Sequence, residues 1–134
     1  MNRQSPVSLL IHVGRIIRGR MDTSLPLPYG QCEVLRFAAE ADEPSMRDVA
    51  THFNIAAPSA TAVVEHLVRE GYVTRTGNKK DRRVVRLMLT TRGVTLSRRI
   101  LKTRERVLKD VLSVLNKEDV SDLQRVLGKI VSSA

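Results

Sequence analysis

The chain's 134 residues leave room for one domain with a modest core, and its single cysteine excludes an intrachain disulfide framework or a metal knuckle built from several thiolates. Its start, Met1 to Leu10, is polar, and the apolar run beyond is interrupted by His12, Gly14 and Arg15, so a signal peptide or a membrane span does not fit and a cytoplasmic location is expected. The net charge is +9, and it is concentrated: residues 72–109 hold thirteen basic and two acidic side chains, whereas 22–71 hold three basic and eight acidic. A local cationic stripe tracks a polyanion, though a solvated helix face beside a basic loop has the same composition.

Leu9, Leu10, Val13, Ile16 and Ile17 recur at helical spacing and predict a first helix over roughly 5–21, ended by the prolines of Thr23 to Pro28. A second helix is expected just after Pro28, running through Gln31, Val34, Leu35, Phe37 and Ala38 to the acidic, proline-containing loop Glu40 to Pro44. Ser45-Met46-Arg47-Asp48 has the pattern of a capping box, so a third helix starts there and turns Met46, Val49, Ala50 and Phe53 inward. After Asn54, Pro58 suits the first turn of a fourth helix running to Arg69 and stopped by Gly71. Tyr72 to Arg75 and Val84 to Leu89 read as two strands around a polar turn containing Gly77 and Asn78. Thr90 or Thr91 caps a long helix to about Leu115, and Asn116 with Asp119 opens a last helix bearing Val120, Leu123, Val126, Leu127, Ile130 and Val131.

A lone hairpin is marginal in water, so the strands must pack on helices three and four. Helix, helix, hairpin is the order of a winged helix-turn-helix, in a mainly α chain of about six helices. The terminal helices, 1–22 and 94–134, carry more aliphatic surface than the core 28–93 can bury, which predicts dimerisation through them.

A helix that enters the major groove needs short polar side chains near its N-terminus, and Ser59 and Thr61 have that character. His66 lies on the same helix and could meet a base or phosphate, although an exposed histidine is more often simply solvated. Within Lys79-Lys80-Asp81-Arg82-Arg83, a carboxylate sits inside a basic turn with an arginine two positions later. Such a carboxylate can orient a guanidinium for insertion into a narrow minor groove, which makes Arg83 the leading candidate. Lys79, Lys80 and Arg82 suit phosphate contact, and Arg75 at the base of the wing joins this set.

Asp81-Arg82-Arg83-Val84-Val85-Arg86-Leu87-Met88-Leu89-Thr90-Thr91-Arg92-Gly93 resembles the wing of the multiple-antibiotic-resistance regulator (MarR) family: Asp-x-Arg, an alternating strand, Leu-Thr and then Gly. Leu67 to Arg75 is similar to that family's helix-to-strand junction, Met46 to Phe53 to its first helix-turn-helix helix, and Leu27 to Leu35 to the start of its second helix, with Pro28 where threonine is usual. The resemblance implies a homodimer that reads a pseudo-palindromic duplex with half-sites ~34–36 Å apart. Helix 57–70 would lie in the major groove and wing 75–84 in the minor groove, and a repressor is the expected mode. It also implies control by a small, often anionic aromatic effector between the dimerisation and DNA-binding parts, or by thiol oxidation.

Cys32 falls near the start of the second helix, where the helix dipole can lower a thiol pKa, but it is read as a buried small hydrophobe. His12, His52, His66 and Cys32 have no recognisable metal-ligand spacing, and no nucleophile elbow, phosphate loop or paired-carboxylate pattern is present. No cofactor, metal or catalytic activity is expected. The competing reading is a winged-helix module for protein contact without specific DNA binding, because a fold does not dictate a function.

Overall fold

The computed structural model describes residues 5–77 and 84–134. Among these, the elements run α1 (Pro6–Ser24), α2 (Tyr29–Glu40), α3 (Met46–Phe53), α4 (Ala57–Arg69), β1 (Val73–Gly77), β2 (Val85–Leu89), α5 (Thr91–Leu112) and α6 (Lys117–Ser133). The expected winged helix-turn-helix order is present.

Local chemistry sets most boundaries. The Ser45 hydroxyl accepts from the Asp48 N–H at 3.0 Å, and the Asp48 carboxylate accepts from the Ser45 N–H at 2.8 Å, closing the expected capping box of α3. Asn116 and Asp119 close a second one at α6, and Thr90, of the two expected threonines, caps α5. α4 ends in a Schellman turn: Gly71 has φ +79°, its N–H reaches Val68 O, and the Tyr72 N–H reaches Leu67 O.

Several expected boundaries are corrected: α1 runs to Ser24 rather than to about 21, and Tyr72, expected in the first strand, precedes β1. Gly77, expected in the turn, is the last residue of β1 and pairs with Val85, while Val84, expected in the second strand, precedes β2. The antiparallel ladder from Val73↔Leu89 to Gly77↔Val85 continues for as long as each residue finds a partner, whatever its own turn preference. α5 ends at Leu112 rather than near Leu115, where Ser113 donates to the Asp110 carbonyl and closes the helix with a local bond.

The core gathers Met21 of α1, Leu25 and Leu27 just after it, Cys32, Val34 and Leu35 of α2, Val49 of α3, Ala60, Val64 and Leu67 of α4, the hairpin's Val73 and Leu87, and Leu96, Ile100 and Val107 of α5. Met46, Ala50 and Phe53, expected to point inward, pack at its edge as half-buried residues. α6 buries none of its residues, and most of α1 is exposed: Val7 is 67% exposed and Val131 74%. No helix among the described residues is long and apolar enough to cross a membrane.

Candidate nucleic-acid interface

α4 is held by one face. Ala60, Val64 and Leu67 are buried at three- and four-residue steps, which leaves Pro58, Ser59, Thr61, Ala62, Glu65 and Arg69 exposed on the other side. Ser59 and Thr61 are therefore both exposed, on the two flanks of this free side. His66 is half-buried and only partly available, and Ala60 belongs to the core at 1% exposure.

The N-terminus of α4 differs from those of the other helices. Side chains of Ser5, Ser45, Thr90 and Asn116 cap α1, α3, α5 and α6, and the Asp22 carboxylate accepts from the Tyr29 N–H at 2.7 Å at the start of α2. At α4 the N-cap is Ala56, which offers no side-chain bond, and Pro58 has no N–H to satisfy. The Ala57 and Ser59 N–H groups thus face solvent at the positive end of the helix, a ready anion site. These backbone donors were absent from the sequence-derived set, although alanine in place of Ser, Thr, Asp or Asn at position 56 is the signal that marks them.

The wing is anchored to the reading unit on two sides. The Leu87 N–H donates to the Pro44 carbonyl at 2.8 Å, with Ser45 and Arg86 bridged beside it, so the loop ahead of α3 lies along the edge of β2. Arg86 Nη1 donates to the Glu43 carbonyl at 3.2 Å. At the other end of the hairpin, Arg92 Nη1 donates to Glu70 O at 2.6 Å with its guanidinium 4.5 Å from the Tyr72 ring centroid, and the Thr90 hydroxyl donates to Gly71 O at 2.7 Å. α3, α4, the hairpin and the start of α5 are thereby locked as one unit.

Arg75 is exposed on β1 and lies 3.7 Å from Glu65 of α4, so its charge is shared between that carboxylate and solvent. Lys79, Lys80, Asp81, Arg82 and Arg83 lie outside the described residues, as does Asn78. The geometry brings Ser59, Thr61 and the uncapped start of α4 onto one exposed face, with Arg75 at the base of the hairpin.

Cys32 is fully buried, and its S–H donates to the Leu27 carbonyl at 3.4 Å. Burial, with smaller contributions from Asp22 and Glu33, pushes the thiol pKa up to about 11. Any lowering by the helix dipole is outweighed, in line with the reading of Cys32 as a buried small hydrophobe. Among the described residues no three His, Cys, Asp or Glu side chains are grouped so as to hold a metal ion.

The model of the MarR family matches residues 25–84, from just ahead of α2 to just ahead of β2. The HTH-type transcriptional repressor MdtR of Bacillus subtilis is 26% identical over 87 residues, which span 65% of this chain and 56% of that protein. In fold, the chain is similar to the reduced form of MarR from E. coli, with a TM-score of 0.86, 23% identity and coverage of 96% of this chain and 98% of that one. It is also similar to S. aureus MepR solved in a complex with DNA, at a TM-score of 0.85 and 20% identity over 98% of this chain and 100% of that one.

Proposed function

We propose that this chain is a MarR-family protein, on the match of residues 25–84 to that family's model, and that it is a sequence-specific duplex-DNA regulator acting as a homodimer, with repression as its mode. The observation that carries this reading is α4: an exposed polar face with Ser59 and Thr61, led by an N-terminus that no side chain caps. In a major groove, the Ala57 and Ser59 N–H groups meet a phosphate, and the short side chains let the helix approach the base edges. Lys79, Lys80 and Arg82 contact phosphates, Asp81 orients Arg83, and Arg83 enters the minor groove. The named activity of MdtR as a repressor and the DNA partner of MepR support the reading.

The dimer follows from the unpaired apolar surface. Val7, Leu10 and Ile11 of α1 and Val126, Ile130 and Val131 of α6 stand exposed, more aliphatic area than a lone monomer leaves in water. A second copy covering both helices gives an isologous two-fold interface, and two α4 helices then read a pseudo-palindromic site. The cleft of about 520 Å³ between α1 and α2, where Arg18 lies over the Tyr29 ring at 5.2 Å and Phe53 forms one wall, is also lined by Asp22 and Glu33, so its charge disfavours an anionic aromatic effector there.

Selection of duplexes from a random library with the purified protein, followed by sequencing, tests the proposal. A two-fold symmetric motif is expected. No enrichment over competitor DNA would overturn it, and would favour a winged-helix module for protein contact. Arg83→Ala is expected to weaken the selected duplex by roughly 1–3 kcal/mol.

A further inference from the structure

A second cleft, of about 530 Å³, opens between the C-terminal end of α1 and the outer face of α5. Its lining is Ser24, Thr95, Arg98, Arg99, Lys102, Thr103 and Arg106. Four cations and three hydroxyls face it without one carboxylate, aromatic ring or large aliphatic side chain. The α5 residues recur at three- and four-residue steps, so they form a single stripe ~16 Å long.

Two details distinguish this cleft from a merely solvated basic face. Arg99 Nη2 donates to the Ser24 carbonyl at 3.0 Å, which holds one guanidinium against the cleft wall. Thr103 is the one buried polar residue among those described, at 5% exposure, and no hydrogen bond between described residues engages its hydroxyl. Its hydroxyl is open to the cleft rather than sealed in the core, so a ligand oxygen can replace water as its acceptor. Among the described residues no ion pair engages Arg98, Arg99, Lys102 or Arg106.

The geometry points to a binding site for a compact polyanion, one that places several negative oxygens within a few ångström, as a pyrophosphate unit or a tricarboxylate does. Guanidinium forks and a lysine bind such oxygens by charge-assisted bonds, while the hydroxyls take up remaining lone pairs. The lining offers no flat apolar wall for an aromatic ring, which separates this cleft from the Tyr29 cleft in ligand class as well as in place.

The test is calorimetric titration of the full-length protein, at fixed ionic strength, with pyrophosphate, citrate and benzoate. Saturable binding of pyrophosphate or citrate at one site per chain is expected, the tighter of the two assigning the class, with benzoate failing to compete. Arg98→Gln and Lys102→Gln, both at exposed positions, should each weaken it about tenfold, the loss of one charge-assisted contact. Lys109→Gln, on the same helix but outside the cleft, should leave it unchanged. Equal loss from Lys109→Gln, equal affinity for benzoate, or no saturable binding would each overturn the site. So would a Lys102→Gln protein that loses duplex affinity while the wild type ignores pyrophosphate, because the cations would then serve DNA phosphate. The duplex selection and this titration can fail independently.

Discussion

A Cβ added at Gly93 would stand 2.0 Å from the carbonyl oxygen of Tyr72. The first turn of α5 lies directly against the backbone that joins α4 to β1, and only a residue without a side chain permits that approach. The Thr90 N–H bonds to the same Tyr72 carbonyl at 3.0 Å, so the contact is held from both sides.

Gly93→Ala is therefore expected to destabilise the protein by about 1–3 kcal/mol or more, since the obstacle is backbone that cannot swing aside. Gly30→Ala, in the first turn of α2 with nothing within 4 Å of its added Cβ, should instead be neutral or stabilising by up to about 1 kcal/mol. Urea denaturation midpoints of the two variants give the comparison, and equal midpoints would contradict it.

Arg92 ties α5 to the C-terminal end of α4 through Glu70 O and the Tyr72 ring. Removing it leaves every predicted phosphate contact in place and loosens the helix that reads bases. Arg92→Ala should lower affinity for the selected duplex while the slope of log affinity against log salt stays the same. Arg83→Ala, by contrast, should lower both. A shallower slope for Arg92→Ala would make it a DNA contact rather than a positioning residue.

Cys32 should be inert in the folded protein. Its thiol keeps its proton to about pH 11, and the thiolate is the reactive form, so alkylation at pH 8 is expected only at the rate of unfolding. Above its ordinary value of 9.0 the unfolded chain gives up a proton that the folded chain retains, so stability drains away as pH climbs from 9 to about 11. Cys32→Ala should be less stable at neutral pH because of the cavity it leaves, yet should lose less than the wild type over that alkaline interval. Rapid labelling of native protein by iodoacetamide would refute the prediction.

The Asp48 carboxyl is held below its usual pKa by its bonds to the Ser45 backbone and hydroxyl. Its contribution is present above the unfolded carboxyl value, 3.8, and is lost as pH falls through the lower folded one. Asp48→Ala should cost about 1 kcal/mol at pH 7. The gap from wild type should narrow as pH falls below 3.8 and the wild-type carboxyl itself protonates, which weakens the bond it accepts from the Ser45 N–H. A gap constant with pH would assign the effect to something other than the cap.

What the sequence determined by itself is what local chemistry governs. The capping boxes at Ser45 and Asn116, the stop at Gly71, the position of Pro58 in α4 and the apolar periods of the helices are each written within a few residues, and each fell where short-range bonds and side-chain spacing put it. That Ser59 and Thr61 stand exposed follows from the same spacing, because a helix with one apolar face must present the other. Only the tertiary structure decided the rest. The extension of β1 to Gly77, the docking of Leu87 on Pro44, the pairing of Arg75 with Glu65 and the 2.0 Å limit at Gly93 depend on segments that meet across the fold. The cationic cleft behind α5 belongs with them. In sequence it is a helix rich in arginine, and it becomes a concave site because the end of α1 closes one side and Thr103 is drawn inward with the core.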